Sequence, residues 1–381
     1  MVADRLQPGC SEARYVSAMS RAILLDRSIN LRYTFVSATV SANKSEDAMA
    51  HRITMTDVAR EAGVSLMTVS RVVNNKDDVS PATRQRVLEI IDDLGYRPSS
   101  IARGLVTQRT GTLGLIVPDI DNPFFSGMVR GAEHEAYAEG YSVFLCNTNE
   151  DPERERAVLD SLEEKMVDGL ILCSSRLVEQ DLHQIVARFP AVVLVSRRLA
   201  KNCVGTVLID DEDGGWQVAR HLLESGHRSI GFLAGPKVSH STRARLKGYR
   251  RAMADYGAVY NPAWVEHCSP TIERVQVAAR QMLKAHPELT GLICHNDLVA
   301  IGVLQVCAED GIRVPEQLAV IGFDDIPVAS IVNPPLTTCH VPRYEIGAQA
   351  MRLLLEQISD CEQTYQEIVL RPKLIVRSSA P

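Results

Sequence analysis

Two short predicted helices at 54–74 place side chains that can read DNA bases on one exposed surface. The stretch TMTDVAREAG offers a threonine cap and a closing Gly63, and only a three-residue turn separates it from LMTVSRVVN. A second helix joined by so short a turn has the geometry that fits the major groove. Its outward side chains include Leu66, Met67 and Arg71. Apolar side chains can contact a thymine methyl group, and arginine can bind O6 and N7 of guanine.

This DNA-reading surface has a simpler alternative, an ordinary three-helix bundle. Both interpretations bury Val69 and the pair Val72–Val73 on the inner face of the second helix. Only DNA binding gives a reason to expose Leu66 and Met67 beside Arg71, so we favour it. We expect these three side chains to read bases and the polar side chains near them to hold phosphates. The full predicted set on this unit is Thr54, Ser65, Leu66, Met67, Thr68, Ser70, Arg71 and Asn74.

A third helix is predicted from SPATRQRVLEIIDDLG. Ser80 is a good N-cap residue, and Pro81 suits the first helical position. Apolar residues recur at helical spacing from Val87 to Leu94, and a glycine ends the pattern. The three helices together form a headpiece that we assign to residues 51–97.

Composition indicates a globular protein of more than one domain. Its 381 residues are too many for a single ordinary core. Residues 50–110 hold nine Lys and Arg residues against seven Asp and Glu residues, whereas the whole chain has a net charge of −6. A slightly basic module therefore precedes an acidic body. No apolar run approaches the length of a membrane span, and the N-terminus lacks the pattern of a secretory signal.

The cysteines and the missing catalytic motifs argue against other classes of protein. Nine cysteines are scattered without a C-x-x-C pair, which is typical of free thiols in a reducing compartment. We therefore expect a cytoplasmic protein with no metal and no cofactor. The chain has no G-x-G-x-x-G, P-loop, G-x-S-x-G or H-E-x-x-H motif, so an enzyme is disfavoured. A periplasmic solute-binding protein would need an export signal and would have no use for the headpiece.

Beyond residue 110 the pattern changes to alternating strands and helices. Nine short apolar runs, from TLGLIVPDI to LTTCHVP, alternate with amphipathic stretches such as ERERAVLDSLEEKMVDG. This alternation is typical of parallel sheets with helical crossovers. Nine strands are too many for one small sheet, so we predict two α/β lobes. A ligand would bind in the crevice between them, at the carboxyl ends of the strands.

The stretch ITMTDVAREAGVSLMTVSRVVNNKDDVSPATRQRVLEIIDDLGYRPSSIARGL resembles the DNA-binding headpiece of the LacI/GalR family of bacterial repressors. The resemblance continues in order through LGLIVPDIDNPFF, VDGLILC, GHRSIGFLAGP, RLKGYRRAM, VIGFDD and PPLTTCHVP, and covers about 52–378. It implies a small all-α helix-turn-helix DNA-binding domain. It also implies an α/β effector domain of two doubly wound parallel-sheet lobes, similar to the periplasmic binding proteins. The expected assembly is a homodimer on a pseudo-palindromic double-stranded operator.

The resemblance divides the chain into four parts. Residues 1–50 would be an N-terminal extension, disordered or not translated, and 51–97 the headpiece. Residues 98–110 would be a hinge helix and linker, and 111–381 the ligand-binding and dimerisation domain. Within that domain the N-lobe would comprise about 111–210 and 342–369, and the C-lobe about 211–341 and 370–381.

The segment SSIARGLV aligns with the hinge helix of that family, which folds on operator DNA when two copies meet over the minor groove. By itself it is about two turns long and contains Gly104, so an isolated helix would be marginal. The resemblance assigns DNA contacts to Ser99, Ala102 and Leu105. Leu105 would wedge into a base step and kink the duplex.

The resemblance also assigns a ligand site to eight residues at the crevice. The aromatic rings of NPFF would cover a sugar ring, Arg245 would bind hydroxyls or a carboxylate, and Asp324 would accept hydrogen bonds from hydroxyls. Asp297 and Asp325 are instead expected to cap helices. The full set is Asn122, Phe124, Phe125, Arg197, Ser241, Arg245, Asn296 and Asp324.

One position departs from the family's pattern. Many sugar-binding members carry Asp–Arg where this chain has Ser196–Arg197. The loss of a carboxylate, with Arg198 and Arg245 near, could favour an acidic or phosphorylated sugar. This remains a hypothesis at the level of sequence.

We therefore predict a transcriptional regulator, a repressor of a sugar-catabolic operon that is controlled allosterically by a small sugar or sugar derivative. A regulator that responds to a purine or another metabolite as corepressor stays open, because two phenylalanines can stack on a base as well as on a sugar. The sequence does not distinguish induction from corepression.

Overall fold

The structure, a computed structural model, describes residues 53–97, 109–200, 204–269, 271–359 and 365–381. The extension at 1–50 lies outside these ranges. So do Ser99, Ala102 and Leu105, and their predicted DNA contacts stay predictions. Within the described ranges, no helix is both long and apolar enough to cross a membrane.

The headpiece is built from three helices, α1 (Met55–Ala62), α2 (Leu66–Val73) and α3 (Pro81–Asp93). They enclose a small apolar core in which Val69 and Val87 are fully buried. The predicted helix-turn-helix is confirmed, with the turn where the sequence places it.

Local side-chain chemistry sets the ends of these helices. The hydroxyl of Thr54 accepts a hydrogen bond from the Asp57 backbone N–H, and the Asp57 carboxylate accepts one from the Thr54 N–H at 3.0 Å. Gly63 ends α1 with φ at 61°, a left-handed conformation that costs glycine little. Ser80 caps α3 with Pro81 in its first turn. The caps at Thr54, Gly63 and Ser80 are those the sequence predicts.

Beyond the headpiece, strands and helices alternate. The strands are β1 (Thr112–Val117), β2 (Ser142–Asn147), β3 (Gly169–Cys173), β4 (Val192–Val195), β5 (Gly205–Ile209), β6 (Ile230–Ala234), β7 (Val265–His267), β8 (Gly291–Cys294), β9 (Ala319–Asp324), β10 (Thr337–His340), β11 (Glu367–Leu370) and β12 (Lys373–Ile375). The helices are α4 (Pro123–Ala138), α5 (Pro152–Glu164), α6 (Glu179–Val186), α7 (Asp211–Glu224), α8 (His240–Asp255), α9 (Ile272–Ala285), α10 (Asp297–Asp310) and α11 (Arg343–Ser359).

The strands form two six-stranded sheets. The first has the order β2-β1-β3-β4-β5-β11, and all of its strands are parallel. The second has the order β7-β6-β8-β9-β10-β12, and it is parallel except for β12, which runs antiparallel to β10. The predicted fold class is confirmed. The exact lobe boundaries given above stay predictions.

All nine apolar runs read from the sequence are strands. The three strands that the sequence analysis missed, β7, β11 and β12, have three or four residues each and are only partly buried. A short strand at the rim of a sheet lacks the continuous apolar run that marks a central one.

Two glycines allow α11 to pack closely against α4. A side-chain carbon on Gly131 would lie 2.0 Å from the Tyr344 carbonyl oxygen, and one on Gly347 would lie 1.9 Å from that of Met128. Helix α11 follows a strand of the second sheet and yet packs on α4, β3 and β4 of the first. The chain therefore crosses from the second lobe back to the first near residue 342. Both sheets contribute to the crevice described next.

Candidate DNA-reading surface and ligand crevice

The outer face of α2 carries the side chains expected to meet DNA. Ser65 caps the helix, and its hydroxyl accepts a hydrogen bond from the Thr68 N–H at 3.1 Å. Leu66 and Met67 are 51% and 63% exposed, so two adjacent large apolar side chains at the start of this helix face solvent. Val69, one turn on, is buried against α1 and α3. The inner and outer faces are therefore those that the sequence predicts.

The polar members of this surface are held by local contacts that DNA can replace. Arg71 forms an ion pair of 3.2 Å with Asp78, in which both side chains are about half exposed. The side-chain amide of Asn74 donates to the Ser70 carbonyl at 2.9 Å. Exposed ion pairs contribute little to stability, so Arg71 can leave Asp78 for a base edge at small cost.

A small cavity lies where side chains from both sheets meet. Seven of the eight predicted ligand residues line it: Asn122, Phe124, Phe125, Ser241, Arg245, Asn296 and Asp324. The structure therefore brings together residues that are up to 202 positions apart in the sequence, between Asn122 and Asp324.

Two phenylalanines form the apolar part of the cavity wall. The Phe124 and Phe125 rings pack edge to face, with centroids 5.1 Å apart and planes at 81°. They are held at the start of α4, where the Asn122 side chain accepts a hydrogen bond from the Phe124 N–H at 3.0 Å. Both rings are largely buried. They can cover a flat or ring-shaped ligand without losing side-chain freedom on binding.

Arg245 is a firmly anchored polar group of the site. Its Nε donates to the Asp211 carboxylate at 2.8 Å, and its Nη1 donates to the His295 carbonyl. The guanidinium lies 3.6 Å from the centre of the Phe323 ring. A buried arginine held by a carboxylate and a ring keeps a fixed orientation, so its remaining N–H groups are preorganised for a ligand.

Asp324 lies beside this arginine with few partners of its own. It is buried, and its carboxylate is 3.7 Å from Nη2 of Arg245. Burial raises the pKa of Asp324 well above its usual range, although the positive charge of Arg245 opposes the shift. Its φ is 104°, a region that non-glycine residues rarely adopt. An acidic group held in such a state indicates a functional constraint.

Backbone strain is concentrated on this cavity. Four lining residues other than glycine have positive φ angles: Glu150 at 61°, Ser174 at 49°, Ser196 at 55° and Asp324 at 104°. Ser174, Ser196 and Asp324 lie at the carboxyl ends of strands, and Glu150 lies in the loop after β2. Such positions cost energy and persist where the surrounding structure and the function require them. Their clustering marks the crevice independently of the predicted residue set.

Arg197 is not among the described residues that line the cavity. The left-handed turn at Ser196 brings the serine to the cavity, and the Arg197 guanidinium instead donates to the Leu177 carbonyl at 3.2 Å. Arg198 donates to the Glu367 carboxylate, with Nε 2.7 Å from Oε2. Two of the three arginines behind the acidic-sugar hypothesis are therefore engaged elsewhere.

The two aspartates expected to cap helices do not do so. Asn296 caps α10, its side chain accepting from the Val299 N–H at 3.0 Å, and Asp297 is the first helical residue. Asp325 precedes no α-helix and instead pairs with Arg377 at 2.7 Å. Asn296 therefore caps a helix and also lines the cavity. Reasoning from sequence patterns usually assigns a residue only one of these roles.

Seven further residues line the cavity that the sequence analysis did not assign: Glu150, Ser174, Arg176, Ser196, Ile209, Pro236 and His295. His295 directly precedes Asn296, after the same strand. Burial and the nearby Arg245 and Arg176 charges lower the pKa of His295 well below its usual range, so its ring is neutral at physiological pH. Ser174, Ser196 and His295 directly follow predicted strands, so they could have been assigned to the site on that ground.

Comparison with known families matches both parts of the chain. The family described as "Bacterial regulatory proteins, lacI family" matches residues 54–99. The family described as "Periplasmic binding proteins and sugar binding domain of LacI family" matches residues 110–375. The two matches cover the headpiece and nearly all of the two-sheet body.

Relatives with assigned functions match over almost their full length. The "HTH-type transcriptional repressor PurR" of Photobacterium profundum is 37% identical over 329 residues, which is 86% of this chain and 98% of that protein. A PurR of Haemophilus influenzae is 37% identical over 331 residues, with the same coverage.

Solved structures agree with these relatives. The lac repressor dimer bound to operator and the anti-inducer ONPF superposes with a TM-score of 0.76 at 27% identity, covering 86% of this chain and 99% of that one. A complex of the transcriptional regulator CelR with cellobiose has a TM-score of 0.66 at 33% identity and covers 86% and 100%. The chain thus belongs to the LacI family of bacterial regulatory proteins, and it is a DNA-binding transcriptional repressor rather than an enzyme.

Proposed function

We propose that this repressor senses a purine-type ligand in the crevice between its lobes, and that the ligand strengthens operator binding. The observation that carries the proposal is the pair of phenylalanines, Phe124 and Phe125, that line the crevice together with Arg245 and Asp324. A flat heterocycle can pack on the rings while its ring nitrogens and exocyclic groups bond to the polar side chains. The PurR relatives support a purine over the sugar expected from the sequence.

The direct test is operator binding with and without ligand. A DNA fragment would first be selected by the protein from a random pool and labelled for fluorescence anisotropy. Adenine, guanine and hypoxanthine would then be compared with ribose, glucose and cellobiose. We expect at least one purine base to tighten operator binding, by the roughly 5–150-fold that is typical of allosteric coupling. Looser binding with every purine, or a response to sugars alone, would contradict the proposal.

A sugar remains the second candidate. CelR, whose structure was solved with cellobiose, is 33% identical to this chain, and the match covers 86% of this chain. The crevice wall is also mostly polar beyond its two rings. The sugars in the same titration decide between the candidates, because a sugar effector would act where the purines fail.

We further propose that α2 reads the operator and that two chains bind as a homodimer in the cytoplasm. The lac repressor relative was solved as a dimer on its operator, and this chain presents Leu66, Met67 and Arg71 on one exposed face. Two-fold symmetry would place the two copies of α2 in successive major grooves of a pseudo-palindromic site.

Replacing Arg71 with alanine should weaken binding to the selected operator by about 1–3 kcal/mol and relax the preference at one base pair of each half-site. The measurement is anisotropy on the selected site and on single-base variants of it. Arg86→Ala, an exposed arginine on α3, is the matched control and should change operator affinity much less. An Arg71→Ala protein with full affinity and unchanged preference would remove Arg71 from the reading surface.

A further inference from the structure

The wall of the crevice formed by the first sheet holds a second, largely enclosed arginine. Arg176 follows β3, lines the cavity, and has a side chain only 9% exposed. Its Nε and Nη2 both donate to the Glu150 carboxylate, with Nη2 2.9 Å from Oε1, and its Nη1 donates to the Ser174 carbonyl at 2.7 Å. This two-point pairing fixes the guanidinium in one plane.

The backbone around this pair is built to hold it. Glu150 and Ser174, which bond to the arginine, have left-handed φ angles of 61° and 49°. Glu155, itself buried, accepts hydrogen bonds from the Ser175 hydroxyl and from the Arg176 backbone N–H at 2.9 Å. Strain and buried polar contacts that converge on one side-chain pair indicate that its position matters beyond folding.

Both arginines that line the cavity are paired with carboxylates. Arg176 is matched by Glu150, and Arg245 is matched by Asp211 at 2.8 Å with Asp324 at 3.7 Å. His295, which also lines the cavity, adds no charge because burial and the two arginines lower its pKa. Among the lining residues within the described ranges, each arginine therefore already has a carboxylate. An anion that contacts these lining residues would therefore meet no arginine without a carboxylate.

The pair can still bind a ligand through hydrogen bonds. An arginine has five N–H donors, and the contacts of Arg176 use three of them. The Glu150 oxygens keep lone pairs beyond those that the arginine occupies. The wall therefore offers both donors and acceptors to a ligand that is polar but uncharged.

We propose that Glu150 and Arg176 are specificity-determining residues that restrict the effector to an electrically neutral molecule. Ligands that carry a phosphate or carboxylate are excluded, because a buried anion without its own counter-charge is strongly destabilised. The inference rests on the proposed function only in taking the crevice as the effector site. It holds for a nucleobase and for a sugar alike, and it replaces the acidic or phosphorylated sugar that the sequence suggested.

The test uses matched pairs of neutral and phosphorylated probes with the full-length protein. Isothermal titration would compare adenosine with its 5′-monophosphate, ribose with ribose 5-phosphate and glucose with glucose 6-phosphate, after a thermal-shift screen of bases, pentoses, hexoses and disaccharides. The neutral member of the best-bound pair should bind at least about tenfold more tightly. The inference is overturned if the phosphorylated member binds equally or better, or if neither member of any pair binds.

Charge variants separate electrostatics from simple damage to the site. Glu150→Gln leaves Arg176 without a carboxylate, and should shift the ratio of the two affinities toward the phosphorylated probe by about tenfold or more. The double variant Glu150→Gln/Arg176→Gln removes both charges and should keep the phosphorylated probe excluded. Glu309→Gln, in an exposed ion pair with Arg280 on the second lobe, is the control and should leave the ratio unchanged. An unchanged ratio in Glu150→Gln, with operator binding intact, would refute the role of the pair.

The same titrations keep the two proposals apart. If ribose or glucose binds where purine bases do not, the purine proposal fails and the neutral-effector inference is judged on the sugar pair. If adenosine 5′-monophosphate binds more tightly than adenosine, the inference fails and the purine proposal stands.

Discussion

Replacing Arg245 with alanine is expected to abolish the response to ligand and to lower the free energy of unfolding by about 3–5 kcal/mol. The side chain bonds to Asp211 and to the His295 carbonyl, packs on the Phe323 ring, and is only 5% exposed. Its removal leaves the Asp211 carboxylate buried with no counter-charge, and one oxygen of that carboxylate already has no hydrogen-bond partner. It also removes the donors that Arg245 itself presents to a ligand.

Urea unfolding would measure the loss of stability, and titration with the effector would measure the loss of binding. Arg245→Lys should recover part of the stability, because it keeps the charge, but little of the binding, because it lacks the planar fork. Arg250→Ala is the matched control on the same helix, since this arginine is exposed and packs on Tyr260. Its effect should stay within about 1 kcal/mol. An Arg245→Ala protein that is as stable as the wild type and binds the effector normally would show that the buried network is dispensable.

The position of the ligand crevice could be predicted from the sequence because the ends of the buried strands could be predicted. Parallel strands end at the same edge of a sheet, so residues directly after buried apolar runs, such as Asn296 and Asp324, were expected to converge. The number of strands predicted two lobes with a crevice between them, and the family resemblance assigned the eight ligand residues. Seven of the eight predicted residues line the cavity as a result.

Arg176 was missed because its environment comes from a distant residue. In the sequence it lies in the polar stretch CSSRL, which is typical of an exposed loop. In the fold its side chain is largely enclosed and pairs with Glu150, 26 positions earlier. A pairing over that separation leaves no local periodicity or motif, so only the fold reveals it.

Arg197 was predicted to line the cavity and does not. Its position after a buried strand is as favourable as that of Asp324, but the side chain that reaches the cavity belongs to Ser196. The left-handed φ of Ser196 sets which of the two neighbours faces the ligand. Non-glycine residues rarely take that conformation, so a pattern of residue types does not predict it.

The stability of the protein should also depend on pH through Asp297, a buried acid next to the ligand residue Asn296. Burial raises the pKa of Asp297 to about 7, against the favourable hydrogen bonds from Thr338 Oγ1 and the Ile326 N–H. The nearby Asp325 charge raises this pKa further, and Arg377 lowers it. The side chain is tightly enclosed, since a carbon added to Gly322 would lie 2.2 Å from its Oδ1.

The direction of the effect follows from proton linkage. The folded state holds the Asp297 proton up to about pH 7, whereas the unfolded chain releases it near its ordinary pKa of 3.8. The contribution of this group is therefore fully present below about pH 4 and is lost as the pH rises through 7. Over that range we expect the wild type to lose about 2–4 kcal/mol of its free energy of unfolding relative to Asp297→Asn, which stays neutral.

Urea unfolding of both proteins at several pH values between 4 and 8 would measure this difference. Subtracting the two curves cancels the titrating groups that do not interact with Asp297. The buried Asp324 does interact with it, because the Asp297 charge raises the pKa of Asp324, and its contribution acts in the same direction. The asparagine can still accept one of the two hydrogen bonds, so the variant should be less stable than the wild type near pH 4 and equal or more stable near pH 8. Asp310→Asn, an exposed carboxylate at the end of the same helix, should follow the wild-type curve. If Asp297→Asn instead runs parallel to the wild type throughout, the buried carboxyl is already ionised in the folded state, and Thr338 and the Ile326 N–H stabilise its charge more than burial penalises it.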